Sequence, residues 1–243
     1  MDTKLPINQH VDILAIGTHP IDVEIGVGGI LLKMAHRGYT TVICDLTHGE
    51  MHTIQNKEKH SAEAEKAAKI LHISDRVNLD LGNSSLDLSI NQAHALVECI
   101  RFYMPDIILA PYWQDWNQGQ SLASQLINKA IHIAWHEKID KSCKPYTPPH
   151  VFYYPFTKPI IPQTIVNITS TFEGKIEAVK AYQSRFNEMP SLAFSFPQSY
   201  KDFIFHIESR ARHFGSLINC RFGEGLILER PIPIEDICEF ISF

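Results

Sequence analysis

The chain has no CxxC pair among its five cysteines (Cys44, Cys99, Cys143, Cys220, Cys238) and no cluster of basic residues. Nor does it contain a run approaching the roughly 18 consecutive apolar residues that a membrane helix needs. Each absence excludes a class. Widely spaced cysteines, odd in number, fit free thiols in a reducing compartment rather than a disulfide framework or a zinc finger. The segment MDTKLPINQHVD lacks the apolar core of a secretory signal, so a cytoplasmic location with no membrane partner is expected. Lys and Arg number 22 against 27 Asp and Glu, for a formal charge of -5, and they are scattered, so no nucleic-acid partner is expected either. G-x-S-x-G elbows, P-loops, repeats and low-complexity tracts are also missing, which removes serine-hydrolase and P-loop nucleotide readings.

What is present is an ordinary globular composition: 243 residues, 44% hydrophobic and 20% charged, enough for one sizeable core, so residues 1–243 read as a single domain. Short runs rich in Val and Ile alternate with segments of helical periodicity, the pattern of βαβ units and a mostly parallel α/β sheet. Strands are expected at 11–17, 41–46, 76–81, 106–112, 151–156 and 164–169. Helices are expected at 23–37, 57–71, 90–104, 120–136, 172–186 and 200–217. Gly38 and Pro105 read as helix stops, and Ser170 or Thr171 as a cap on the fifth helix. Six prolines between Ile139 and Pro162 predict an extended stretch whose strand lies toward a sheet edge. Apolar residues of the tail (Ile237, Phe240, Ile241, Phe243) are expected to pack on the body or on a neighbouring subunit.

Thirteen histidines are the least usual feature, since histidine is the commonest metal ligand and proton shuttle. In an open doubly wound sheet, ligands bind beyond the carboxyl ends of the strands. The segments there are Thr18 to Glu24, Thr47 to His52, and Tyr112 to Gln120, which gather histidine, carboxylate and amide side chains with Trp113 and Trp116. His19 and Asp22, on a strand-to-helix turn, suit zinc or a similar divalent ion, although an Asp near a helix N-terminus also occurs for structural reasons. Gly26, Gly28 and Gly29 lie too deep in the first helix for a dinucleotide fingerprint. They fit close helix-to-sheet packing, and no nucleotide cofactor is expected. His132 and His136 could share a helix face, but H-I-A-W-H lacks the glutamate of H-E-x-x-H.

The segment VDILAIGTHPIDVEIGVGGILLKMAHRGYTTVICDLTHGEM resembles the LmbE-like, or PIG-L, de-N-acetylases, in which ILAIGAHPDDxExGxGGTLAK is followed by a strand ending in DLTxGE. The likeness continues through EAEKAAKILHI, PDIILAPYW and ESRARHFGSLINCRFGEGLILERP, and it is most similar to the bacillithiol-pathway type that acts on N-acetylglucosaminyl-malate. The resemblance implies a Rossmann-like three-layer sandwich, a single catalytic zinc, an N-acetylglucosamine-type sugar derivative as ligand, and a homo-oligomer or assembly with a paralogue.

In that family the A-H-P-D-D stretch gives a His ligand, an Asp base and an Asp ligand, and H-P-D-H gives the last His ligand and a supporting His. Here His19 and Asp22 hold ligand positions, Ile21 replaces the base, Gln120 replaces the last ligand, Asn117 replaces the other His, and His60 takes the place of an arginine. A neutral amide is a poor zinc ligand, and loss of a general base alone costs about 10²–10⁴-fold in rate. The expectation is therefore a pseudoenzyme with a sugar-sized crevice lined by Glu50, His60, Trp113, Asn117 and Gln120. The alternative is an active deacetylase with a rebuilt site, in which His48, His52 or His60 completes a zinc sphere and Glu50 or Asp115 serves as base.

Overall fold

In a computed structural model, residues 9–49, 57–82, 86–136, 144–182, 199–231, 233 and 235 are described. The elements run β1 (Ile13–Gly17), α1 (Asp22–His36), β2 (Thr41–Asp45), α2 (Lys57–Ile70), β3 (Asp75–Asn78), α3 (Ile90–Tyr103) and β4 (Ile107–Pro111). They continue with α4 (Gln118–Ala134), β5 (His150–Tyr154), β6 (Thr164–Asn167), α5 (Phe172–Lys180), α6 (Tyr200–Leu217) and β7 (Gly223–Leu228). The strands form one sheet in the order β3-β2-β1-β4-β5-β7-β6. The first five of these are parallel, and β7 runs antiparallel to both of its neighbours. This is the mostly parallel α/β sheet that the alternation of apolar runs predicts, in the three-layer arrangement that the resemblance implies.

Period-two alternation distributes the strand side chains between two cores. Ile13, Ala15, Ile43, Leu109 and Tyr154 face the layer of α1, α2, α5 and α6. Leu14, Ile16, Val42, Cys44, Ile108, Ala110 and Tyr153 face α3 and α4. β1 and β2 are buried along their whole length, so they appear in the sequence as continuous apolar runs rather than alternating ones.

Three expectations need correction. The strand inside the proline-rich stretch, β5, lies in the sheet interior between β4 and β7. The prolines fall outside His150–Tyr154, so none interrupts its ladder. β7 has no counterpart among the expected strands, because glycines at 223 and 225 weaken its propensity. Gly225 is needed where a Cβ would meet Pro162 and the Phe214 ring at 2.9 and 3.1 Å. Finally, Thr171 stands at the N-cap of α5 without a capping bond, and its hydroxyl instead donates to the Gly29 carbonyl at 2.8 Å. Ile237, Phe240, Ile241 and Phe243 lie outside the described residues.

That bond belongs to a break in α1. Val27 departs from helical dihedrals (φ -139°, ψ 17°), so the i→i-4 ladder fails there. The freed N–H groups of Gly29 and Ile30 donate to the Glu224 carboxylate at 3.0 and 2.7 Å. The carbonyl of Ile25 accepts from Lys175 Nζ at 2.8 Å and Arg210 Nη2 at 3.0 Å. The first turns of α1 are thus a short helix of their own, tied to α5, α6 and β7. Gly26 packs on β5, where a Cβ would lie 2.3 Å from the Tyr154 ring, and Gly29 packs on Ile168. A Cβ at Gly28 would meet only ordinary contacts, from 3.5 Å outward.

Candidate functional site

The sheet order reverses between β1 and β4, and the loops after these strands converge at the crevice where open α/β sheets bind ligands. The ladder of β1 and β2 extends past both strands, with Thr47 N–H donating to the Thr18 carbonyl at 3.1 Å, which fixes the start of the turn. Asp22 N–H then donates to the His19 carbonyl at 3.2 Å, closing a turn with Pro20 and Ile21 at its centre. Ile21 has φ 92° and ψ -26°, the left-handed conformation that the third residue of a type II turn requires and that Gly or Asn usually supplies. A β-branched side chain there is strained by about 1–2 kcal/mol, and strain of this kind persists only where the surroundings impose it.

The turn delivers Asp22 to the first position of α1, where the helix dipole favours its negative charge. The residue is 3% exposed. Oδ2 accepts from His19 N–H at 2.9 Å and lies 3.4 Å from His19 Nδ1. It also accepts from Gln120 Nε2 at 2.7 Å. A carboxylate offers only acceptors, so the nitrogen of the Gln120 amide must be the atom facing it. The amide oxygen accepts from the Thr18 hydroxyl at 3.0 Å. Thr18, Gln120, Asp22 and His19 therefore form one hydrogen-bonded chain.

Of the expected site residues, the structure brings His19, Asp22 and Gln120 together. The Asn117 side chain instead caps α4, accepting from Gly119 N–H at 2.9 Å and Gln120 N–H at 3.4 Å. Trp113 packs edge-on against Tyr112 and Tyr153, at centroid distances of 4.7 and 4.6 Å. Trp116, in the loop after β4, is 69% exposed. Asp115 accepts from the N–H groups of Asn117, Phe156, Thr157 and Lys158 at 2.8–3.2 Å and from the Thr157 hydroxyl. Burial alone would raise its pKa, but these donors together hold it below the ordinary carboxylate value. His48 and His60 line a cleft of about 150 Å³ with Pro20, Asp45, Arg76 and Asn78, and His48 Nε2 lies 3.5 Å from Asp80 Oδ1. Glu50 and His52 lie outside the described residues. His132 and His136 stack edge-on at 5.7 Å at the far end of α4, about 18 Å from Gln120 at 1.5 Å per residue.

One cluster escapes sequence reasoning. Arg76 Nη1 donates to Glu24 Oε1 at 2.6 Å, and its Nε and Nη2 donate to the Asp45 carboxylate at 2.8 and 3.0 Å. Glu24 Oε1 also accepts from the Tyr182 hydroxyl at 2.7 Å. Burial would lower the Arg76 pKa, but the two carboxylates hold the guanidinium firmly protonated. Asp45 is pushed up by its burial, with Arg76 opposing the shift. The sequence signals were single acidic residues in otherwise apolar runs, Glu24 in VEIGVGGILL and Asp45 in TVICDL.

The donor set does not fit a zinc ion held by three protein ligands. Among the described residues, no group of three His, Cys, Asp or Glu side chains is placed to hold one ion. Gln120 turns its non-ligating NH₂ toward Asp22, and its oxygen is engaged by Thr18. What the arrangement can do is hold a carboxylate and an imidazole at the mouth of a crevice.

Comparisons with known proteins agree with this fold. Residues 14–121 match the family described as PIG-L: GlcNAc-PI de-N-acetylase. The chain is 26% identical to the diacetylchitobiose deacetylase of Thermococcus kodakarensis, across 93% of this chain and 86% of that protein. A conserved protein from Thermus thermophilus superposes with TM-score 0.83 at 27% identity, covering 93% of this chain and 98% of that one. The fold is shared at 20% identity and TM-score 0.79 with the 4-carboxy-2-hydroxymuconate hydratase of Pseudomonas putida, covering 93% of this chain and 99% of that one. The architecture alone therefore does not fix a reaction.

Proposed function

This chain carries a PIG-L family domain, and we propose that it is a catalytically impaired member that binds a sugar derivative without hydrolysing it. The observation that carries this reading is the bond from Gln120 Nε2 to Asp22 Oδ2 at 2.7 Å. An amide donor occupies the side of the carboxylate that a cation-binding site would need open. At the base position, the Ile21 side chain accepts no proton and is 9% exposed. Asp115, the nearest carboxylate in sequence to the lost H-P-D-H motif, spends its acceptors on the loop at 156–158 and has a lowered pKa, the opposite of what a base poised near neutrality needs.

The sugar part of the proposal draws on the diacetylchitobiose deacetylase relative, the loop after β4 and the cleft. Exposed Trp116 offers a flat apolar face to a pyranose ring, and the cleft beside Pro20 offers imidazole and amide groups to hydroxyls. Trp113 is assigned to packing and Asn117 to capping. Assembly with a second copy or with a paralogue is the other part of the reading. No helix among the described residues is long and apolar enough to cross a membrane.

The competing reading is an active deacetylase with a rebuilt metal site. In its favour, His48 and His60 line the cleft beside the His19-Pro20 turn. Elemental analysis of protein purified without chelator, together with acetate release from diacetylchitobiose and N-acetylglucosamine, separates the two. We expect zinc well below one per chain and no acetate. About one zinc per chain, lost in His19→Ala and Asp22→Ala, would establish the competing reading.

A further inference from the structure

Asp22 presents a charge that its hydrogen bonds do not cancel. All of its described partners, His19 N–H, His19 Nδ1 and the Gln120 amide, approach Oδ2. Oδ1 accepts no bond from any described residue. It belongs to a residue only 3% exposed, on the turn after β1 beside His19, whose side chain is 30% exposed, and next to Pro20, which lines the cleft.

The surrounding charges reinforce the anion. Among the described residues, Glu24 and Asp45 share one cation, Arg76, which leaves one net negative charge. On the other side of α1, Lys175 and Arg210 are balanced by Glu224 and Asp115, since Lys175 pairs with Glu224 and Arg210 lies within the field of Glu224 and Asp115. With Asp22 the neighbourhood carries two net negative charges, moderated but not removed by the α1 dipole. The carboxylates Asp22, Asp45, Glu24 and Asp115 all act on the buried Tyr154 phenol, adding to the effect of its burial in raising its pKa. In a partly buried crevice such a field selects ligands by charge.

Resting on the reading that no metal occupies the site, we infer that the crevice takes the protonated primary amine of an amino sugar, with Asp22 Oδ1 as its acceptor. An ammonium brings the missing positive charge and three donors, and Oδ1 needs only one. An acetamido group fits worse. Its single N–H could donate to Oδ1, but it brings no charge, and the acetyl group adds a second acceptor and bulk beside an anion that is only 3% exposed. A hydroxyl can donate but carries no charge. The order expected places the amine ahead of the neutral hydroxyl and acetamide. A site of family architecture is thereby turned from the acetylated form of a sugar to its free amine.

The test is calorimetric titration of protein shown by elemental analysis to be metal-free, with glucosamine, glucose and N-acetylglucosamine, and with chitobiose against diacetylchitobiose. The amines should bind about tenfold or more tighter than their acetylated counterparts, with the preference shrinking as salt is raised. Asp22→Asn keeps an acceptor for His19 N–H and should lose most of the preference. The ligand series itself needs no variant, so a poorly folded Asp22→Asn leaves the inference testable. Equal or tighter binding of the acetylated sugars by metal-free protein overturns the inference while leaving a catalytically impaired sugar binder in place. No binding of any sugar overturns both the inference and the sugar-binding proposal. Stoichiometric zinc with acetate release overturns the functional proposal itself.

Discussion

Glu224 on β7 and Lys175 on α5 form an ion pair buried against the break in α1, the helix whose first residue is Asp22. The pair does more than neutralise itself. Glu224 caps the second half of α1 by accepting from Gly29 and Ile30, and Lys175 caps the first half by donating to Ile25. Removing one partner strands the other charge, which costs about 3–5 kcal/mol. Glu224→Gln should therefore destabilise by that amount in denaturant unfolding, and the double variant Glu224→Gln/Lys175→Met should recover part of the loss. Strictly additive losses would show that the two residues act independently.

Gln120→His tests whether the amide keeps the site from holding a metal ion. With His19 and Asp22 it would supply two imidazoles and a carboxylate, a set suited to zinc. Zinc affinity measured by competition with a chromogenic chelator should rise at least about tenfold over the parent chain. No gain would mean that the crevice geometry, and not Gln120, excludes the ion.

At Ile21 the left-handed backbone reverses an ordinary ranking. Alanine normally outranks glycine because it restricts the unfolded chain, but at φ 92° its Cβ is strained. Ile21→Gly should be more stable than Ile21→Ala by about 1 kcal/mol, although both lose the burial of the isoleucine. Thermal and denaturant unfolding of the two variants decide this, and alanine ranking higher would refute the strain.

Two glycines in α1 should respond oppositely. Gly26→Ala drives a methyl into the Tyr154 ring and should cost about 1–3 kcal/mol, whereas Gly28→Ala, with room for a Cβ, should be neutral or stabilise by up to about 1 kcal/mol. Loss of stability at both sites would indicate that the break at Val27 depends on Gly28.

Asp115 sets a pH dependence. Its folded pKa lies below the ordinary value, so on acidification the unfolded chain takes up the proton first. The stabilisation is complete above the unfolded value of about 3.9 and is lost as pH falls through the folded one. Unfolding free energy measured from about pH 6 to about pH 2.5 should therefore fall less steeply in Asp115→Asn than in the parent. The same variant should be less stable at neutral pH by about 2 kcal/mol, since it loses acceptors to the loop at 156–158.

The amino-acid sequence determined the parallel part of the sheet and the helices that cover it. Runs such as ILAIG and TVICD are apolar on both faces, which only a strand covered by helices on both sides can use, so their alternation with helical segments was enough to specify the parallel strands. Ile21 and Gln120 were equally legible as departures from the motifs that the resemblance implies, because they fall within short stretches of fixed spacing. Long-range partnership was not legible. Arg76 meets Glu24 and Asp45 across separations of 52 and 31 residues, and a charged side chain signals burial only once its partners are known. β7 likewise hid behind glycines required by neighbours contributed from elsewhere in the chain. Tertiary structure alone decided that the Gln120 nitrogen faces Asp22, that Asp115 clamps a loop, and that Ile21 is strained. In each case the cause is a hydrogen bond or contact whose two ends are fixed by packing rather than by local propensity.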